Sequence, residues 1–192
     1  MVAILNYKGG NTSSVMYGLD RLGVNYLLTD EPREILTADR LIIPGVGSAR
    51  SAMSDLRIKG LDLLIKEYKK PVLGICLGLQ ILCQYSEEES TECMGVFDST
   101  VRAFPNQDIV PHMGWNDFKE TSGKLFEGIK PEEHCYFVHS YYAEPSKDTT
   151  AVTDYILPFS AAMEKDNFYA TQFHPEKSSK TGEKLLKNFL EL

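Results

Sequence analysis

Short apolar runs alternate with helical patterns in the first half of the chain. Val2–Leu5 is an apolar run that predicts a strand, and the apolar residues that follow the polar caps at 11–13 recur at the spacing of a helix face. The same alternation continues to residue 75, with strands predicted at 25–29, 39–44 and 72–75 and a helical region at 61–68. This order is typical of a parallel, doubly wound sheet with helices on both faces.

The second half of the chain has shorter apolar runs that are separated by turns. Val96–Phe104, Tyr136–Ala143 and Phe168–Phe173 predict mainly antiparallel strands that close one edge of the sheet, and 178–192 predicts a final helix. We therefore expect one α/β domain over residues 1–192. Its predicted fold is three-layered and flavodoxin-like, with a mostly parallel sheet, helices on both faces and an antiparallel extension.

Composition and charge narrow the classes of function. The 192 residues are 43% hydrophobic, and the formal net charge of −7 argues against nucleic acid or an anionic membrane as the main partner. No leader pattern and no membrane-length apolar run is visible, and the four cysteines have neither metal-ligand spacing nor a disulfide framework. These features predict a cytoplasmic protein with reduced thiols, no metal and no membrane contact.

One cysteine lies between two glycines directly after an apolar run. In Gly74-Ile-Cys-Leu-Gly78, Cys76 would occupy a tight turn from a strand into a helix that begins near Leu77. The amino terminus of that helix would favour a thiolate, and the Leu77 N–H would face an oxyanion formed on the substrate. The alternative is a small buried core residue, which a free cysteine commonly is, and this short pattern alone leaves the choice open.

A candidate base lies near the end of the chain, in Gln172-Phe-His-Pro-Glu-Lys177. If Pro175 keeps this stretch extended, His174 and Glu176 project to the same side, where the carboxylate can orient the imidazole. A surface turn is the alternative for these residues alone. Taken with Cys76, the pair predicts a thiol acyl-transfer site.

Three motifs together resemble the class I (triad) glutamine amidotransferases: Pro44-Gly-Val-Gly47, Gly74-Ile-Cys-Leu-Gly-Leu-Gln80 and Gln172-Phe-His-Pro-Glu-Lys-Ser178. The resemblance implies that Cys76 attacks the side-chain amide of L-glutamine, that His174 is the general base and acid, and that Glu176 orients it. It further implies a set of residues that bind glutamine or stabilise the oxyanion. These are Gly45, Val46, Gly47, Leu77, Gln80, Val138, His139 and Ser140.

Two further stretches, Pro111-His-Met-Gly-Trp-Asn116 and Tyr136-Phe-Val-His-Ser-Tyr-Tyr142, resemble the glutaminase subunits of imidazole glycerol phosphate synthases within this family. The opening 6–11 is similar to theirs, with Asn6 and Lys8 as departures. This resemblance implies no cofactor and a heterodimer with a (β/α)8-barrel cyclase that consumes the ammonia. The interface residues it implies are Asn11, Trp115, Asn116, Tyr136 and Lys177.

Several interpretations stay open at this point. Trp115 could instead be a core anchor, whereas His112 and His134 receive no functional role and the acidic run 87–92 is interpreted as a solvated loop. Alternative functions are the glutaminase subunit of pyridoxal phosphate synthase, a stand-alone γ-glutamyl thiol hydrolase and a flavodoxin-like binding module. The last alternative requires three motifs to coincide by chance.

Overall fold

The computed structural model describes residues 1–8 and 10–192. Gly9, within the 6–11 stretch, lies outside the described residues. The helices are α1 (Thr12–Arg21), α2 (Pro32–Thr37), α3 (Ala49–Ile58), α4 (Leu61–Glu67), α5 (Leu77–Leu82) and α6 (Ser179–Glu191). The strands are β1 (Val2–Leu5), β2 (Tyr26–Thr29), β3 (Arg40–Ile43), β4 (Val72–Ile75), β5 (Tyr85–Ser86), β6 (Thr91–Glu92), β7 (Thr100–Ala103), β8 (His112–Asn116), β9 (Glu120–Thr121), β10 (Cys135–His139), β11 (Tyr141–Ala143), β12 (Thr149–Tyr155), β13 (Leu157–Lys165) and β14 (Phe168–Thr171).

The main sheet contains eight of the described strands, in the order β2-β1-β3-β4-β14-β13-β12-β9. The first five of these are mutually parallel, and the remaining three add antiparallel partners at one edge. Helices cover both faces, because α2 to α5 share one buried apolar cluster with the sheet and α1 and α6 share the other. The predicted three-layer fold class is confirmed.

The prediction for the second half needs correction in its details. Strand β14 pairs in parallel with β4, so 168–173 forms part of the parallel centre of the sheet and not an antiparallel edge. The antiparallel extension comes instead from the long hairpin β12–β13, which the sequence interpretation missed. The runs at 96–104 and 136–143 supply β7, β10 and β11, which belong to two small separate sheets.

These small sheets lie beside the main one. Strand β10 pairs antiparallel with β8, and β11 belongs to a second sheet of order β11-β7-β5-β6. Ser140 separates β10 from β11, so one continuous stretch of chain passes from one small sheet into the other.

The carboxyl ends of three neighbouring strands determine where a site can form. Strands β3, β4 and β14 are adjacent, and they lead into Pro44, Cys76 and Gln172 respectively. Ligands of doubly wound sheets bind beyond such carboxyl ends, so the three predicted motifs meet at one edge of the parallel sheet. None of the helices in the described part of the chain combines the length and apolar character needed to cross a membrane.

Candidate active site

Cys76 lies at a strained turn between β4 and α5. Its φ of 53° and ψ of −106° fall outside the regions that L-residues ordinarily occupy. The Cys76 N–H donates to the Thr171 carbonyl at 2.7 Å, which fixes the turn against the neighbouring strand β14. The predicted strand-to-helix elbow is therefore present, and a strained backbone of this kind typically presents a nucleophile.

Close backbone contacts explain the glycines around the elbow. A Cβ atom on Gly78 would lie 2.2 Å from the Ile43 carbonyl oxygen, and one on Gly74 would lie 2.7 Å from the Gly78 oxygen. A Cβ on Gly45 would lie 2.5 Å from the Leu77 Cβ. These separations are too short for any side chain, so the elbow is held by backbone that packs directly on backbone.

His174 and Glu176 form a buried pair. The His174 Nδ1 atom lies 2.8 Å from the Glu176 Oε1 atom, and the two side chains are 2% and 1% exposed. The extended conformation expected around Pro175 is wrong, because Pro175–Lys177 forms a 3-10 turn. The carboxylate still reaches the ring, since the turn brings residue 176 back toward residue 174.

Hydrogen bonds between backbone and one buried serine hold the histidine turn against β10. The His174 N–H donates to the Tyr136 carbonyl at 2.9 Å, and the Tyr136 N–H donates to the Ser178 hydroxyl at 2.9 Å. The Ser178 hydroxyl in turn donates to the His174 carbonyl at 2.6 Å. We call these three residues the serine clasp. Ser178 precedes α6, so the clasp joins the start of that helix to strand β10.

The surroundings of His174 favour its protonated form. Burial lowers the pKa of His174, but interactions with the Cys76 thiol and the Glu176 carboxylate outweigh burial and raise the pKa to about 10. Among the described residues, the His174 Nε2 atom has no hydrogen-bond partner. Ring and thiol thus interact without a formed hydrogen bond, and such contacts commonly tighten only when substrate binds.

A cavity of about 250 Å³ opens beside the Cys76 sulfur. Its volume suits an amino-acid-sized ligand. Most of the predicted site residues line it, together with Glu88 and Tyr141. The predicted residues are Val46, Gly47, Cys76, Leu77, Gln80, Val138, His139, Ser140 and His174. Gly45 is absent from this lining, and its backbone packs on Leu77 instead.

The sulfur is surrounded by weak polar contacts. The Gln172 Nε2 atom donates to the Cys76 Sγ at 3.6 Å, and the thiol itself donates to the Val138 carbonyl at 3.9 Å. The Gln80 Nε2 atom donates both to the Gln172 Oε1 atom, at 3.1 Å, and to the Tyr141 carbonyl, at 3.0 Å. Both Gln80 donors are thereby used within the protein, and its carbonyl oxygen is left to interact with a ligand.

Glu88 is a functional candidate that the sequence interpretation missed. The acidic run 87–92 is not simply a solvated loop, because Glu88 lines the cavity and its Oε2 atom accepts the Ala49 N–H at 2.7 Å. Burial raises the pKa of Glu88, and the bond from Ala49 partly counteracts the increase. This carboxylate is well placed to accept a cationic group of a ligand.

The predicted interface residues lie mainly on one surface of the β8–β10 pair. Trp115 is 53% exposed and is therefore no core anchor, and its ring lies 6.1 Å from the half-buried Tyr136 ring. Lys177 is exposed and lines a groove together with Trp115. Asn116 is directed inward, where its amide bonds to other parts of the chain. Asn11 lies apart from these at the start of α1, where its amide donates to the Ser14 hydroxyl.

The other cysteines differ from Cys76 in their surroundings. Cys83 and Cys135 are fully buried, and burial raises the pKa of Cys135 to about 12 and that of Cys83 still further. Cys93 is half-buried, and burial likewise raises its pKa to about 12. In the described residues, no cluster of three or more His, Cys, Asp or Glu side chains could hold a metal ion.

Comparison with known proteins agrees with this arrangement. The family model "Glutamine amidotransferase class-I" matches residues 3–192. The chain is 53% identical to the imidazole glycerol phosphate synthase subunit HisH of Bacteroides thetaiotaomicron, over 100% of this chain and 99% of that protein. It is 43% identical to the protein of the same name from Vibrio parahaemolyticus, over 100% of this chain and 98% of that protein.

Solved structures show the same fold at lower identity. A putative GMP synthase protein from Thermoplasma acidophilum superposes with a TM-score of 0.77 at 20% identity, over 99% of this chain and 92% of that chain. The cysteine elbow, the buried histidine–glutamate pair and the cavity between them thus occur in a chain that matches the family model over nearly its whole length. This chain belongs to the class-I glutamine amidotransferase family.

Proposed function

We propose that this chain is the glutaminase subunit of an imidazole glycerol phosphate synthase. The observation that carries the proposal is full-length similarity of 43% to 53% to proteins that bear this subunit's name. The cavity supports it, because a thiol, a protonated imidazole and a carboxylate meet there in a volume that suits glutamine. None of the alternative functions considered from the sequence has comparable support.

In the proposed reaction, Cys76 is the nucleophile. The raised pKa of His174 means that the ring carries its proton before substrate arrives, and its positive charge stabilises negative charge on the sulfur. The thiolate attacks the side-chain carbonyl carbon of glutamine, and the leaving nitrogen takes the His174 proton to depart as ammonia. Water then attacks the thioester, gives its proton to His174, and releases glutamate and the thiolate.

Glu176 acts on the ring and not on the substrate. Its carboxylate holds the His174 Nδ1–H at 2.8 Å, which directs Nε2 toward the cavity and stabilises the positive charge. We assign the oxyanion to the Leu77 N–H and to the backbone of Val46 and Gly47 across the cavity.

Three parts of the cavity would bind the rest of glutamine. We propose that Glu88 accepts the α-ammonium group, since among the described residues that line the cavity it alone has an acidic side chain. The backbone at 138–140 and the Gln80 carbonyl oxygen would bind the remaining polar groups. This arrangement leaves the side-chain amide directed at the Cys76 sulfur.

The ammonia would be consumed by a separate cyclase subunit, for which we propose a (β/α)8-barrel fold. Ammonia that escapes into water is protonated and loses its nucleophilicity, so the two subunits must dock closely. The exposed Trp115, its neighbour Tyr136 and the exposed Lys177 form the docking surface in this proposal. The complex would act in the cytoplasm, where thiols stay reduced.

Activity should depend on that partner. We expect the isolated chain to be a poor glutaminase, because Gly47, with φ of 97°, gives the 44–47 loop freedom to turn a peptide toward or away from the oxyanion. Loss of one oxyanion donor costs about 10²–10³ in rate. Equal activity with and without the liganded cyclase would contradict this expectation.

The decisive experiment is Cys76→Ala in the complex with the cyclase. Glutamine-dependent formation of imidazole glycerol phosphate should fall by about 10⁴-fold or more, because no other side chain in the cavity can form the thioester. Turnover with ammonium salts at alkaline pH should survive. Cys93→Ala is the matched control and should retain both activities. Glutamine-dependent turnover in Cys76→Ala would show that the thiol mechanism is wrong, and failure of the wild-type complex to form this product from either nitrogen source would remove the assignment to this synthase.

A further inference from the structure

Two buried histidines lie opposite each other in the β8–β10 pair. His112 and His139 are partners in the strand register and are 4% and 5% exposed. The His112 Nδ1 atom lies 3.0 Å from the His139 Nε2 atom. Only His139 lines the cavity, so His112 stands behind the cavity wall and contacts it through this one hydrogen bond.

The hydrogen-bond partners of Asn116 determine which His112 nitrogen carries the proton. The Asn116 Oδ1 atom accepts the Asp117 N–H at 2.9 Å, and its Nδ2 atom donates to the Asp154 carbonyl at 3.0 Å, which fixes the orientation of the amide. The second Nδ2 hydrogen points to the His112 Nε2 atom at 3.3 Å. In a neutral ring Nε2 is therefore the acceptor and Nδ1 is the donor, so His112 donates to His139.

The His139 ring is fixed in the same manner. Its Nδ1 atom lies 2.7 Å from the Tyr141 carbonyl, which can only accept, so Nδ1 carries the proton and Nε2 accepts from His112. Burial lowers the pKa of His112 to about 4 and that of His139 to about 3, which is consistent with two neutral rings at neutral pH. Each donor in this chain of hydrogen bonds points toward the cavity.

The chain of hydrogen bonds continues to the thiol. The Tyr141 carbonyl accepts a second bond, from the Gln80 Nε2 atom at 3.0 Å, and Gln80 also donates to Gln172, which donates to the Cys76 sulfur. The His139 bond to Tyr141 spans Ser140, the residue that separates β10 from β11. The ring of His139 thus holds the bend in the cavity wall, and it does so only while its Nε2 atom is satisfied.

We propose that His112 is a positioning residue for glutamine hydrolysis, which donates to His139 and thereby holds the 138–141 wall in the shape that binds glutamine. The proposal rests on the proposed function. It assigns no contact between His112 and substrate, and it distinguishes the donor atom of His112 from its ring. Without the donor, the buried His139 Nε2 atom has no partner, and the ring can rotate or protonate and release the Tyr141 carbonyl.

The environment of His112 offers two substitutions with opposite expectations. The ring stacks on Tyr155, with centroids 4.1 Å apart, and on Phe137, with centroids 4.9 Å apart. His112→Phe keeps a ring in this stack but removes the donor. His112→Asn gives up the stack but places an amide nitrogen close to the Nδ1 position. Packing alone favours Phe over Asn, whereas the proposed role favours Asn over Phe.

The experiment compares both variants with wild type in the full chain, with the cyclase present, by glutamine kinetics. His112→Asn should keep kcat/KM for glutamine within about threefold of wild type, and His112→Phe should lose about tenfold or more, mainly through KM, because a buried acceptor is left unpaired in the binding wall. Tyr155→Phe, which deletes the hydroxyl bonded to Ile109 but keeps the stacked ring, is the control and should match wild type.

A second measurement does not depend on activity. In chains labelled with ¹⁵N-histidine, the His139 Nε2 resonance should be alike in wild type and His112→Asn and should shift in His112→Phe, because the acceptor has lost its donor. A kinetic order with Phe equal to or better than Asn would overturn the proposal, as would an unmoved Nε2 resonance in His112→Phe. If wild type with cyclase hydrolyses no glutamine, the proposed function fails, and the proposal fails with it as a statement about catalysis whatever the resonance shows.

Discussion

The cavity lies between two regions that are stabilised by different interactions. On the side of the main sheet, the Cys76 elbow is held by backbone packed on backbone, with Gly78 against Ile43 and Gly45 against Leu77. On the side of the small sheets, the wall at 138–141 is held by side-chain hydrogen bonds between buried histidines. The first region resists change through sterics, which depend little on pH. The second depends on protonation states and on the direction of each donor.

The largest effect is expected from a methyl group at the elbow. Gly78→Ala should lower the free energy of unfolding by about 3 kcal/mol or more, because a Cβ 2.2 Å from the Ile43 oxygen forces the backbone to move. Thermal or urea unfolding measures the loss. Gly23→Ala is the control, since Gly23 has φ of 67° but no atom within 4 Å of its Cβ position, and its cost of about 1 kcal/mol is conformational strain alone. Equal losses in the two variants would contradict the steric account.

The next effect concerns Glu88 on the wall side. Glu88→Gln keeps an oxygen that can accept the Ala49 N–H but removes the charge proposed to bind the α-ammonium of glutamine. KM for glutamine should rise about tenfold or more with little change in kcat, as expected for the loss of a charge-assisted bond. Glu89→Gln, at the neighbouring half-exposed carboxylate paired with Arg50, should behave as wild type. An unchanged KM in Glu88→Gln would exclude Glu88 from substrate binding.

Acid should destabilise the wall through its two histidines. Their pKa values are lowered in the fold, to about 4 for His112 and about 3 for His139, from an ordinary 6.5. Below pH 6.5 the unfolded chain therefore binds more protons than the folded chain, and stability falls as pH falls. Each ring contributes a slope of about 1.4 kcal/mol per pH unit between 6.5 and the folded pKa.

The control for this slope is a comparison of variants. His112→Asn removes one of the two rings, so the fall in unfolding free energy between pH 6.5 and pH 5 should be shallower by about 1.4 kcal/mol per unit, whereas exposed His134→Asn should leave the slope unchanged. His174 acts in the opposite direction: its pKa is raised to about 10, so its stabilisation is complete below 6.5 and is lost as pH rises toward 10. Identical slopes in wild type and His112→Asn would refute the neutral pair.

The smallest effect on the chain itself is expected at the outer surface of the same strands. Trp115→Ala should change the unfolding free energy by no more than about 0.5 kcal/mol, because the side chain is 53% exposed. Affinity for the cyclase should nevertheless fall, which titration calorimetry can measure. A large stability loss with unchanged affinity would mean that the ring supports the fold and not the partner.

The elbow was predictable from sequence because its information is local. Strand β4 has the bounds that were predicted, and the glycines on either side of Cys76 reveal close approach without any knowledge of what approaches. His174 and Glu176 were also predicted as a pair, although through the wrong backbone conformation. A short spacing along the chain fixes a short distance in space whether the segment is extended or turned.

The wall was not predictable because its information is distant. His112 acquires its proposed role only through the register that places it opposite His139, 27 residues away. Glu88 lies over the cavity because its carboxylate bonds to the start of a helix 39 residues earlier, and a run of acidic letters gives no sign of that. The assignment of 168–173 to an antiparallel edge failed for the same reason, since β14 pairs with a strand nearly a hundred residues before it.

The serine clasp has a consequence for local unfolding. Ser178 lies at the start of α6 and bonds to both Tyr136 and His174, so the helix start, the histidine turn and strand β10 share one set of hydrogen bonds. If the beginning of α6 frays, these bonds break with it, and the histidine loses its anchor while the Cys76 elbow stays intact. Amide hydrogen exchange at His174 should therefore follow the opening of the first turn of α6 and be independent of the opening of the parallel sheet.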